Sequence, residues 1–129
     1  MRSWKGLSKL QKDFEAAGVE IVGASADSPS RLARFRRSHD IPYRMIADPH
    51  LKLAEYFSIP TSSGHPRSKA YPEGAFLQPA YFIMRAGDEG GTDRLHSWVQ
   101  KPGLLNIYGA MGRPSPAQML KEAQRVLKA

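Results

Sequence analysis

Apolar residues recur at three- and four-residue intervals through Leu7, Leu10, Phe14 and Ala17, with charged residues between them, and Gly18 follows at once. That spacing predicts a helix with a glycine stop. Val19 to Ala26 abandons the helical period for a β-branched, apolar run without clean alternation, as in a strand covered on both faces and central or near central in its sheet. Ser28 then suits a helix cap and Pro29 a first turn, with Leu32, Ala33 and Phe35 facing inward until His39 and Asp40 end the helix. Tyr43 to Ala47 reads as a second strand, Asp48 as an N-cap with Pro49 at the first helical position, and Leu51 to Phe57 as a further helix. Helices alternating with apolar strands predict an α/β layer with parallel pairing and right-handed crossovers.

The pattern breaks at Ser58 to Gln78, where three prolines, two glycines and several serines predict a long structureless loop, a frequent carrier of function. Ala80 to Met84 and His96 to Gln100 flank the turn GDEGG and predict an antiparallel hairpin. A second loop, Lys101 to Pro114, is unusually apolar in its stretch GLLNIYGAMGRP and reads as a lid or an interface. The terminal helix is predicted over Pro116 to Leu127, with Met119, Leu120, Ala123, Val126 and Leu127 on one face.

A chain of 129 residues can bury one core, so a single domain over residues 1–129 is expected. No stretch approaches the roughly 20 apolar residues of a membrane span, and the charged start MRSWKGLSKLQKD lacks the apolar core of a signal peptide, so the chain reads as cytoplasmic with no membrane partner. The net charge of +7 raises nucleic acid as a partner. Its densest cluster, Arg31, Arg34, Arg36 and Arg37, nevertheless fits the solvated face of an amphipathic helix, and no aromatic platform accompanies it. Nucleic acid is therefore not expected.

The chain contains no cysteine, which removes disulfides, thiolate metal sites and thiol nucleophiles. His39, His50, His65 and His96 lack metal-site spacing, and no serine sits in a G-x-S-x-G elbow, so neither a metal nor a cofactor is expected. Asp27 and Asp48 lie at the carboxyl ends of strands, where α/β sheets place ligands. Acid–base or Mg²⁺ chemistry is conceivable there, but turn formation and capping are the simpler reading. His65, in the long loop, is the histidine best placed for a polar ligand contact.

The L-x-x-L helix ending in AAGVEIVGASADSP, the F-x-x-x-H-D-I-P-Y element, I-A-D-P with LAEYFSIP after it, and QPAYFIM resemble, in order and spacing, the peroxiredoxin and AhpC/TSA family of thioredoxin-like proteins. The resemblance runs over nearly the whole chain. It implies an α/β fold, a thioredoxin-like sheet flanked by helices, truncated at the N-terminus. The family's peroxidatic cysteine would fall just upstream of Met1, together with a central strand between those at Val19 and Ala80. Pro79 matches the proline that precedes the strand facing that cysteine, which implies a cis Gln78–Pro79 bond. Gln78, Pro79, Asp27 and His65 are thus the candidates for the active-site end, and no residue is expected to be catalytic.

Two functions of different class follow. One is antioxidant reduction of peroxides or disulfides, with this cysteine-free chain itself inactive and a thiol reductant serving a full-length form. The other is a non-catalytic thioredoxin-fold binding or assembly module. A missing central strand would leave neighbouring backbones unpaired, so self-association into a homo-oligomer is expected.

Overall fold

The computed structural model describes residues 3–86, 92–99 and 114–127. The GDEGG turn and almost all of the apolar loop before Pro114 lie outside the described residues. The fold is α/β and thioredoxin-like, with the strands of the described residues in three separate two-stranded sheets.

The first predicted helix is two short ones, α1 (Ser3–Lys9) and α2 (Gln11–Ala16), meeting at Leu10. Gly18, at φ +79, ends α2: Val19 N–H donates to Phe14 O at 2.9 Å and Gly18 N–H to Glu15 O at 2.9 Å. This is the doubly bonded terminus in which a left-handed residue satisfies the last carbonyls. The same device ends α3 (Pro29–Ser38) at Asp40, φ 48, with Ile41 N–H donating to Arg36 O, and α4 (Lys52–Phe57) at Ser58, φ 55, with Ile59 N–H donating to Ala54 O. An apolar residue follows each terminus, Val19, Ile41 or Ile59, and of these Ile41 is fully buried. Ser28 caps α3 by accepting from Arg31 N–H, with Pro29 in the first turn.

β1 (Val22–Ser25) pairs in parallel with β2 (Arg44–Ala47), joined through α3. β1 is shorter than its apolar run, and it is not covered on both faces. Val22 is 47% and Ile46 43% exposed on one side of the pair. The opposite side carries Gly23, Met45 and Tyr43; a Cβ on Gly23 would meet the Tyr43 ring at 3.3 Å. The expectation of a fully covered central strand is corrected accordingly: among the described residues β1 has a hydrogen-bonded strand on one edge only.

The segment predicted as structureless is also corrected, because it contains β3 (Thr61–Ser62), a 3-10 turn at Pro66–Ala70 and β4 (Phe76–Leu77), with β3 and β4 antiparallel. Its prolines and serines supply turn geometry, and Ser68, buried, donates through Oγ to Ser63 O and His65 O. β5 (Ala80–Ala86) and β6 (Thr92–Val99) form the expected hairpin, longer than predicted and irregular in register between Ile83 and Met84. α5 (Pro116–Leu127) has its predicted bounds and buries Ala123.

Helices cover both faces of the hairpin. Phe57 of α4 lies 4.7 Å from Phe82, with the Arg94 guanidinium over both rings. On the other face α5 packs against β6, and His96 lies beside Glu122. α1 contacts α5, and its Trp4 ring packs on Phe35 and His39 of α3. The helix layer α5–α1–α3 is therefore continuous, while the sheet beneath it is divided into β1–β2 and β5–β6.

Tyr43 sits under this layer, its hydroxyl donating to Trp4 O at 3.4 Å. Burial raises its pKa, against a smaller opposing effect of a hydrogen bond with Ser8. The folded chain thus favours the neutral phenol. Its contribution to stability is complete below the unfolded value of about 10 and is lost as pH rises through the higher folded value. Alkaline titration of unfolding should show a steeper loss above that pH in wild type than in Tyr43→Phe.

Candidate functional site at the carboxyl end of the parallel pair

Open α/β sheets present ligands at the carboxyl ends of their strands. At that end of β1, Ser25 Oγ donates to Asp27 Oδ2 at 2.6 Å, and Asp27 N–H donates back to Ser25 Oγ. Asp27 Oδ1 lies 3.5 Å from Arg31 Nε, an ion pair with Arg31 about half exposed and hence of small energetic weight. Arg31 also donates through Nη1 to Ala70 O at 2.7 Å. That bond ties the start of α3 to the 3-10 turn across 39 positions of sequence.

Asp48, at the end of β2, is 6% exposed and accepts from Lys52, Leu53 and Ala54 N–H at 2.9, 3.0 and 3.4 Å. Its own N–H donates to Ser25 O at 2.7 Å. Asp48 thus serves the α4 amides as the sequence suggested, but from a distance. Pro49 is not in the helix, and Leu51 at φ 58 immediately precedes it. Both strand-end carboxylates are engaged in local structure.

His65 accepts from Arg67 N–H through Nδ1 at 3.0 Å, capping the 3-10 turn, and packs edge-on against Phe76. Phe76 belongs to β4, which leads directly into Gln78. Gln78 N–H donates to Pro60 O at 2.9 Å, and its side chain is 2% exposed with both amide heavy atoms unpartnered among the described residues. Peptide bonds among the described residues are all trans, which corrects the implied cis Gln78–Pro79 bond. The physical reason is local: Leu77 pairs with Thr61 and Ala80 with Val99, so the chain passes from one ladder to the next without the reversal that would offset the preference for trans.

The four candidates therefore belong to one connected rim rather than to a cluster of touching side chains. Asp27 reaches the 3-10 turn through Arg31, His65 caps that turn and touches Phe76, and β4 delivers Gln78 and Pro79. Sequence reasoning missed Arg31 as the link, since nothing local marks a bond to Ala70, and it named Gln78 only as the partner of Pro79. Among the described residues no group of three or more His, Asp or Glu is placed to hold a metal, and no helix is long and apolar enough to cross a membrane. A hollow of about 410 Å³ opens at the opposite, amino end of β1–β2, between Gln11, Glu15, Ile21, Tyr43 and Arg44. Its position argues against a reaction centre, because strand-end chemistry in such folds gathers at the other end.

Comparison with known proteins bears on the same elements. Over 54 residues, 42% of this chain and 35% of the relative, it is 28% identical to a putative peroxiredoxin bcp of Haemophilus influenzae. It is 32% identical to chloroplastic peroxiredoxin Q of Gentiana triflora over 47 residues, 36% of this chain and 22% of the relative. A putative peroxiredoxin of Mycobacterium tuberculosis is 40% identical over 37 residues, 29% of this chain and 24% of the relative. The matches thus span about a third or less of these relatives. The AhpC/TSA family model matches residues 1–88, from α1 through the parallel pair and the rim into β5. This chain belongs to the AhpC/TSA family.

Proposed function

We propose that this chain is the body of a thiol-dependent oxidoreductase that reduces peroxides or disulfides, and that its reacting cysteine lies on a segment outside these 129 residues. The observation that carries the proposal is the division of the sheet beneath α1 in a family member without a cysteine. A thiol supplied at this end would attack the peroxide O–O bond, taking one oxygen as sulfenic acid and releasing the alcohol or water. A dithiol reductant would return two electrons, leaving as a disulfide with loss of water.

On this reading the rim of Asp27, His65, Gln78 and Pro79 frames the active-site end without performing the chemistry. The chain acts as a single domain, in the cytoplasm, with a thiol reductant as partner of the longer form and with self-association through its unpaired strands. The test is steady-state consumption of hydrogen peroxide with dithiothreitol, run on this chain and on a longer gene product that carries an upstream cysteine. Turnover in the longer protein alone, abolished by replacing that cysteine with serine, is expected. Equal turnover in both, or in neither, overturns the proposal.

A second reading, a non-catalytic binding or assembly module, is favoured by the exposed Val22 and Ile46 beside an open strand edge. A longer protein that has no cysteine, or none that reacts with peroxide, would select it.

A further inference from the structure

Acids and cations are unequally matched at the carboxyl end of the parallel pair. Asp27 is held by Ser25 Oγ and Arg31, Asp48 by three α4 amides, and Glu73 by His50 Nδ1 at 3.1 Å. Arg34, Arg67 and Lys69 are exposed, and their side chains have no hydrogen bond or ion pair among the described residues. These three cations come from two elements that one bond ties together. Arg34 lies one turn along α3 from Arg31, on the same side of the helix, while Leu32 is buried. Arg67 and Lys69 belong to the 3-10 turn, whose Ala70 O accepts from Arg31 Nη1 at 2.7 Å. Residues three apart eclipse in such a turn, which puts Arg67 on the side of Ala70. Arg31 itself is matched by Asp27, so the link is neutral and the charges on either side of it are not.

We propose, on the functional reading above, that Arg34, Arg67 and Lys69 form the docking surface for a protein reductant whose face around its dithiol is acidic. This assigns the charge of the partner and the residues that meet it. Guanidinium groups match carboxylates in a fixed fork geometry, and unmatched surface charge speeds the approach of a partner of opposite sign. The position suits a reductant, because the same rim frames the end at which a sulfenic acid would wait for two electrons. A small thiol would need no such surface, whereas cations spread over two elements suit a partner with area. Carboxylates are favoured over a nucleic acid because the aromatic side chain nearest these cations in sequence, Tyr71, packs on Phe76 at 5.6 Å instead of offering a stacking face.

The test uses two synthetic peptides with the same pair of cysteines two residues apart, one flanked by glutamates and the other by lysines. Fluorescence anisotropy follows their binding to this chain. The acidic peptide is expected to bind at least about tenfold more tightly than the basic one at about 0.01 M salt, and to lose that advantage at about 0.5 M. Arg34→Glu, Arg67→Glu and Lys69→Glu together are expected to abolish the preference, with Arg31 kept so that the turn stays tied. Reversing three exposed lysines elsewhere, Lys5, Lys9 and Lys121, changes the net charge equally and is expected to retain it. Equal binding of the two peptides overturns the proposal, as does equal loss in the two triple variants, since net charge alone would then explain it. An oligonucleotide of the same charge that displaces the acidic peptide also overturns it and gives the rim to nucleic acid. This chain has no thiol to react, so docking is read apart from peroxidase activity. Charge-selective binding without turnover in the longer gene product fails the functional reading alone, and turnover driven equally by both peptides fails the docking surface alone.

Discussion

Replacing Asp48 by alanine is expected to destabilise the chain by about 3 kcal/mol, a large share of the total for a domain of this size. The side chain is 6% exposed and accepts from three successive amides, Lys52, Leu53 and Ala54. Removing it strands those donors at a helix start that has no other side-chain cap, Leu51 being left-handed and apolar. Hydrogen bonds to a charged acceptor are worth more than neutral ones, which places this change above an ordinary capping loss. Asp48→Asn keeps one carbonyl oxygen in place and should cost roughly half as much. Chemical denaturation of the three proteins gives the comparison, and equal stability of wild type and Asp48→Ala would show that α4 is held by other means.

Phe14→Ala should cost about 3–5 kcal/mol, the usual range for emptying a buried aromatic site. Phe14 is 5% exposed on α2, and its carbonyl takes the Val19 N–H at the bonded terminus where Gly18 turns the chain toward β1. The ring therefore anchors the helix at the point where the parallel pair begins. Phe14→Leu, which retains most of the volume, should cost about 1–1.5 kcal/mol. Far-ultraviolet circular dichroism through a urea titration separates the two. A loss for Phe14→Ala no greater than for the leucine variant would mean that the site collapses around the smaller side chain.

Features governed by local chemistry were legible in the sequence. Ser28 and Pro29 start α3 as their side chains dictate, Gly18 stops α2, and the spacing of Met119, Leu120, Ala123, Val126 and Leu127 delimits α5 at its observed ends. Asp48 was recognised as the acceptor for the α4 amides, though the three residues between it and the helix were not foreseen. Long-range features were not legible. The bond from Arg31 to Ala70 joins residues with no local relation, and it ties the proline-rich segment to the start of α3. Composition marked that segment as loop, but the pairing of Thr61 and Ser62 with Leu77 and Phe76 depends on tertiary register, which strands of two residues do not announce. The apolar run at Val19 to Ala26 predicted burial on both faces, and the exposure of Val22 shows that the expected neighbours are not among the described residues. Gln78 is marked in the sequence by its proline, and the burial of its own amide without a partner among the described residues is not legible there.

The central claim is that redox chemistry belongs to this fold but to a thiol outside these 129 residues. Its most direct test is a single-turnover reaction of the longer gene product with one equivalent of hydrogen peroxide, read by intact mass after trapping of sulfenic acid. One upstream cysteine per chain is expected to be converted within the reaction, while this chain, treated identically, gains no trapped adduct. An unreacted upstream cysteine, or a longer product with no cysteine at all, would contradict it and leave the fold as a binding module.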